Sequence, residues 1–159
     1  MLNQTIQIRV YRQNDFDKLI SLIKLNTPDF FAPEEEQDFV NYLHNEKELY
    51  YVVESDNRVI GCGGINFDNN YTEAKISWDI LHKDYHRKSI GTQLLQFRIN
   101  LIKQEYNISK ITVRTSQMAY HFYRKNGFSL VQIVPDFWAK GYDLYYLEYK
   151  NAENIISKC

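Results

Sequence analysis

Cysteine is nearly missing from this chain of 159 residues, which has two. Cys62 lies in an apolar, glycine-containing run and Cys159 is the last residue, so the pair does not describe a disulfide framework. Neither stands at metal-ligand spacing from a histidine, and His44, His82, His86 and His121 are scattered, so no metal site is expected. No apolar run approaches the roughly 20 residues that span a bilayer. The opening residues Met-Leu-Asn-Gln-Thr-Ile lack the basic and apolar regions of a secretory leader, so the expectation is a cytoplasmic protein without membrane association. Charge excess is absent too: 19 basic against 20 acidic residues speak against a nucleic-acid partner, which asks for a strong basic surplus. Neither Gly-x-x-x-x-Gly-Lys-Ser/Thr nor Gly-x-Gly-x-x-Gly occurs, which disfavours nucleoside triphosphates and dinucleotides. Without repeats, low-complexity tracts or an interdomain linker, residues 1–159 read as one domain with enough apolar content to bury a core.

What the chain does have is periodicity. Ile6, Ile8 and Val10 alternate with polar residues and give a first strand. Asn14 or Asp15 is placed to cap a helix with Phe16, Leu19, Ile20 and Ile23 on its apolar face, ending before Pro28. Pro33 opens a second helix, with Glu34, Glu35 and Glu36 in the first turn and Phe39, Val40 and Leu43 inward. Tyr50–Glu54 and Arg58–Ile65 make a hairpin about Ser55-Asp56-Asn57. In the next strand, Glu73–Leu81, strict alternation puts Ile76, Trp78 and Ile80 on one face and Lys75, Ser77, Asp79 and Leu81 on the other. A helix with Leu94, Leu95, Leu101 and Ile102 inward ends near Tyr106-Asn107. Lys110–Thr115 is a strand, Ala119–Asn126 a short helix closed by Gly127, and strands Ser129–Val134 and Tyr142–Tyr149 flank a loop from Pro135 to Gly141. The order β-α-α-β-β-β-α-β-α-β-β implies an α/β (α+β) fold, a mixed central sheet covered by helices, with a parallel strand–helix–strand crossover in the middle. The tyrosine-rich C-terminal strands would suit a homodimer.

Chemistry concentrates between Leu81 and Leu95, where a strand runs into a basic turn that opens directly into a helix. Turn amides, the unpaired N–H groups of the first helical turn and the positive end of its dipole converge on one point, an anion site suited to pyrophosphate. His86, Arg87 and Lys88 add charge or donors, and Gly91 lets the backbone approach a ligand closely.

These residues resemble the GCN5-related N-acetyltransferase (GNAT) family from Ile8 to Tyr149. The family's turn, Gln/Arg-x-x-Gly-x-Gly/Ala, lies on His86-Arg87-Lys88-Ser89-Ile90-Gly91. Its second signature, Asn-x-x-Ala-x-x-x-Tyr-x-x-x-Gly-Phe, lies on the segment from Ser116 through Ala119 and Tyr123 to Gly127-Phe128. His86 stands for Gln/Arg, Ser89 for the first glycine and Ser116 for the common Asn. The resemblance implies acetyl-CoA as co-substrate, its pyrophosphate on the amides from Arg87 to Thr92, Ile90 and Gly91 included. It also implies a pantetheine arm pairing with the open strand edge at Ile80 and Leu81, and touching Ser116. Ser116 reads equally as a helix cap.

The resemblance further implies direct attack by an amine on the thioester and places Tyr123 where family members carry the acid that protonates the departing thiolate. An alkylammonium is neutral in only about one part in a thousand at pH 7, a cost of roughly 4–5 kcal/mol, so a base or water chain is needed. Asp79 is the candidate base, with Glu73 farther off. The acceptor should border the two N-terminal helices and the 135–141 segment, where Glu34, Glu35, Glu36, Asp38 and Asp136 favour a cationic amine and Asp136, Phe137, Trp138 and Tyr142 could form a collar for it. Three functions follow: transfer to a small-molecule amine, transfer to a protein N-terminus or lysine, or a non-catalytic acyl-CoA-binding module.

Overall fold

The computed structural model describes residues 5–150; Cys159 lies outside that range. Seven strands form one sheet: β1 (Ile6–Val10), β2 (Leu49–Ser55), β3 (Arg58–Phe67), β4 (Glu73–Leu81), β5 (Lys110–Thr115), β6 (Phe128–Ala139) and β7 (Tyr142–Tyr149). Their spatial order is β1-β2-β3-β4-β5-β7-β6, and β4–β5 is the parallel pair. Helices α1 (Phe16–Leu25) and α2 (Glu35–Asn41) cover one face, where Leu19, Leu22, Ile23 and Phe39 pack on Val52, Cys62 and Ile80. Helices α3 (Ile90–Leu101) and α4 (Tyr120–Lys125) cover the other, where Leu94, Leu95, Ile99 and Tyr123 meet Ile60, Ile76, Ile111 and Leu147. Each such buried aliphatic side chain is worth about 1.5–3 kcal/mol against exposure, so the two apolar layers fix which helix takes which face. The β2–β3 hairpin closes at Asp56 and Asn57, both at positive φ, as a two-residue turn requires.

Three sequence expectations are corrected. Asp15 does not cap α1; its carboxylate accepts from Arg9 and from the Arg12 N–H and is buried. The expected loop from Pro135 to Gly141 is instead the end of β6, which runs to Ala139 with a register shift before it and turns at Lys140-Gly141. Proline is tolerated there because β6 is the sheet's edge.

The third concerns β4. Cys62 pairs with Ile80 and Gly64 with Ser77, so Trp78 and Asp79 together oppose Gly63, a β-bulge with Trp78 at φ +48°. The extra residue inverts the alternation. Ile76 therefore packs on the α3 face and Ile80 and Trp78 on the α1 face, while Asp79 turns toward α3, opposite to exposed Lys75.

Candidate active site

The bulge also ends a pairing. β4 and β5 are bonded from Glu73–Lys110 to Ile76–Val113, after which β4 stays with β3 and β5 stays with β7. Between them opens a splay, where β5 pairs with none of Ser77–Leu81 and the Trp78 and Leu81 carbonyls accept instead from Tyr50 Oη and His86 Nε2. Ile80 is buried and Leu81 half-buried in the core, so what they offer an extended ligand is the backbone edge.

β4 delivers the chain to the anion turn. His86 Nε2 lies 2.9 Å from the Leu81 carbonyl oxygen; a carbonyl only accepts, so this nitrogen carries the hydrogen and the ring fastens the turn to the strand end. Arg87, Lys88 and Ser89 are exposed, and Arg87 and Ser89 both sit at left-handed φ, +65° and +63°. Such reversals crowd successive N–H groups into a concave nest for anions. The first α3 bond runs from Gln93 N–H to Ser89 carbonyl at 3.0 Å, leaving the amides of Ile90, Gly91 and Thr92 outside the helical ladder. The Ile90 side chain is core, which leaves its amide as the group it can offer a ligand. Ser89 therefore carries the strain that the family's glycine avoids. Ser89→Gly is expected to gain about 0.5–1 kcal/mol net of glycine's extra chain entropy, read as a melting temperature about 2 °C higher.

Behind the splay lies a network with one member that sequence reasoning missed. Asp79 Oδ2 accepts from the Tyr123 hydroxyl at 2.5 Å, and Oδ1 lies 2.6 Å from Nη1 of Arg98, an ion-pair contact not aligned as a hydrogen bond. Arg98 is wholly buried, donating Nε–H to the Leu94 carbonyl at 3.2 Å and Nη1–H to the Gly64 carbonyl at 3.0 Å. Burial alone would pull its pKa down, but the charge and contact of Asp79 more than reverse this, and Arg98 remains a cation. Tyr123 is pushed far above the ordinary phenol value, first by burial and then by Asp79, and keeps its proton. Gly63 makes room for all of this, since a Cβ there would overlap the Asp79 carboxylate. The missed signal was phase: Arg98 lies four residues after Leu94 and four before Ile102, inside the buried stripe. Glu73 is remote, accepting from Thr112 Oγ1 at 2.6 Å. Ser116 is buried and its Oγ accepts from the Met118 N–H, capping the turn ahead of α4 rather than the helix itself.

The connection between α1 and α2 crosses the mouth of the splay. Phe31 stacks on Trp78, Phe30 meets the His86 ring edge-on, Asp29 pairs with Lys83 at 3.2 Å, and the Pro28 carbonyl accepts from Tyr142 Oη at 2.7 Å. The expected aromatic collar is already engaged: Arg114 lies over both Phe137 and Trp138, and Trp138 Nε1–H donates to the Thr115 carbonyl. Asp136 accepts from the Gly141 N–H, serving the hairpin turn. Glu35, whose carboxylate accepts from the Ala32 N–H at 2.7 Å, is buried beside this connection and pushed up to about 7, chiefly by burial. An unfolded glutamate ionises first, so between about pH 4.5 and 7 the folded state binds more protons and stability falls as pH rises. Glu35→Gln is expected to remove that slope, matching wild type near pH 4.5 and melting higher at pH 8.

A splayed strand pair beside a strand–turn–helix whose first amides lie outside the helical ladder has the form of an acyl-CoA-dependent transferase. The sequence profile of the acetyltransferase (GNAT) family matches residues 17–128, and the chain belongs to that family. It is an acetyltransferase with acetyl-CoA as co-substrate. An N-alpha-acetyltransferase of Sulfurisphaera tokodaii is 30% identical over 153 residues, covering 87% of this chain and 89% of the relative. Among solved structures, Ard1 from Thermoplasma volcanium superposes with a TM-score of 0.75 at 17% identity, over 90% of this chain and 95% of that one. An aminoglycoside 6'-N-acetyltransferase complexed with coenzyme A gives 0.72 at 14% identity, over 89% and 95%.

Proposed function

We propose that the chain acetylates a primary amine of a small cationic molecule by direct attack on the thioester, with Asp79 accepting the amine's proton and Tyr123 protonating the thiolate. The observation that carries this reading over transfer to an internal lysine is the closure of the acceptor side. Tyr142 Oη on the Pro28 carbonyl ties the start of β7 to the α1–α2 connection, whose Phe31 is stacked on β4. A continuous polypeptide presenting an internal lysine needs an open groove there, whereas a small amine or a chain end enters a hole. Glu34 and Asp38 are exposed at the start of α2 and attract a cation, Glu36 being paired with Lys24 at 3.5 Å, and the donor pyrophosphate falls to the amides from Arg87 to Thr92.

A second reading, transfer to the N-terminal amine of a polypeptide, is favoured by the relative named N-alpha-acetyltransferase at 30% identity. Thiol release from acetyl-CoA separates the two. Small diamines, peptides with a free N-terminus and N-terminally blocked lysine peptides are offered in parallel. Turnover of diamines above both peptide sets is expected. Faster turnover of free-N-terminus peptides replaces the first reading by the second, and turnover of blocked lysine peptides rejects both.

A further inference from the structure

The hydrogen of Tyr123 is committed to Asp79 Oδ2 at 2.5 Å, and burial together with the Asp79 charge keeps the phenol protonated. In that arrangement Tyr123 has no free hydrogen for a departing thiolate, and it loses its own only as another arrives. We propose that Asp79 and Tyr123 act as one proton-carrying pair that moves the amine's proton to the thiolate, with Arg98 as the positioning residue behind it; this rests on the amine-acetylation reading above.

The neutral amine nitrogen attacks the thioester carbonyl carbon, a C–N bond forms, and the nitrogen of the tetrahedral intermediate becomes positive. One N–H bond breaks and its proton moves to Oδ2 of Asp79, whose side chain is 18% exposed and is the open member of the network. Protonated Asp79 now donates to Tyr123 Oη, so the hydrogen bond between them reverses and the phenol hydrogen is released from it. As the C–S bond breaks, that hydrogen passes to sulfur and the Asp79 proton passes to the Tyr123 oxygen. The products are the amide and the CoA thiol, with carboxylate and phenol restored and no outside acid consumed. The thiolate is thus protonated only after an amine has attacked.

Arg98 makes the reversal geometrically possible. Its Nη1 occupies the Oδ1 side of Asp79, which leaves Oδ2 for Tyr123, and the Leu94 and Gly64 carbonyls hold the guanidinium in that place. Apart from Tyr123, no other side chain among the described residues bonds the Asp79 carboxylate, and Arg98 itself is fully buried.

The test uses the full chain with acetyl-CoA and an amine that the wild type acetylates. Asp79→Asn and Tyr123→Phe are each expected to lower kcat about 100-fold, and the double variant by about the same factor, because groups that act as a unit do not add. Wild-type kcat against deuterium fraction should be bowed, the mark of two protons moving together, and should become a straight line in Tyr123→Phe. Arg98→Met should match the kcat loss of Asp79→Asn at unchanged KM for acetyl-CoA, while Arg98→Lys, which keeps the charge and protects folding, should retain the bowed curve. Single losses that multiply to about 10,000-fold in the double variant, or a straight wild-type line, overturn the pair. A bowed curve that persists in Arg98→Met removes Arg98 from it. Absence of wild-type turnover with every amine overturns the amine-acetylation reading itself, and the pair with it.

Discussion

Replacing Gly63 by alanine is expected to cost about 3–5 kcal/mol, a large share of the roughly 5–15 kcal/mol that holds a domain folded. The added Cβ would overlap Asp79 Oδ1 and stand 2.8 Å from Nη1 and 3.0 Å from Cζ of Arg98. Real Cβ atoms do not approach so closely, so something must yield, and neither neighbour is a loose surface chain. Arg98 is fully buried with its guanidinium bonded to two backbone carbonyls, and Asp79 is bonded to Tyr123. The route open to them is to break the ion pair, which strands a buried charge. Denaturant midpoints measure the effect. The same substitution in an Arg98→Met, Asp79→Leu background should cost far less, since no ion pair remains to break. A Gly63→Ala protein within about 1 kcal/mol of wild type would show that the network yields more easily than its hydrogen bonds imply.

Thr92→Asp is expected to weaken acetyl-CoA binding about 100-fold while leaving the melting temperature equal or higher. Thr92 is the third residue of α3, a position where an acid is favourable to the helix dipole and meets no crowding, the site being half-exposed. The nearer phosphate of a ligand pyrophosphate on the same amides would meet that carboxylate at about 5 Å, and at an effective dielectric of 20 that one pair of unit charges repels by about 3 kcal/mol, a factor of about 100. Opposite signs on folding and on binding separate this from general damage. Titrating acetyl-CoA against the variant by thermal shift and by KM reads both quantities, and unchanged affinity would place the pyrophosphate elsewhere.

The element order and the parallel crossover were legible from periodicity, and two short signatures singled out the 86–91 turn and Tyr123 as candidates; that Tyr123 bonds Asp79 was not legible. The faces of β4 were not. A bulge adds one residue without altering composition, so alternation counted through Trp78 puts Asp79 on the wrong side. Arg98 was invisible for a related reason: a charged residue is read as solvated until its helical phase is checked against its neighbours. The stretch from Pro135 to Gly141 misled because proline and glycine signal a break, while an edge strand accommodates proline at no cost in ladder bonds. In the acceptor region, charge pattern suggested a cationic guest, but the partners of Phe137, Trp138 and Tyr142 depend on contacts between segments far apart in sequence.

The two tryptophans of the chain stand on opposite banks of the splay, Trp78 in the bulge of β4 against Phe31, Phe39 and Tyr42, and Trp138 with its indole N–H on the last carbonyl of β5. Whatever wedges these strands apart changes the surroundings of both indoles together. The protein therefore carries its own optical gauge of cleft opening, readable in ultraviolet emission without a label.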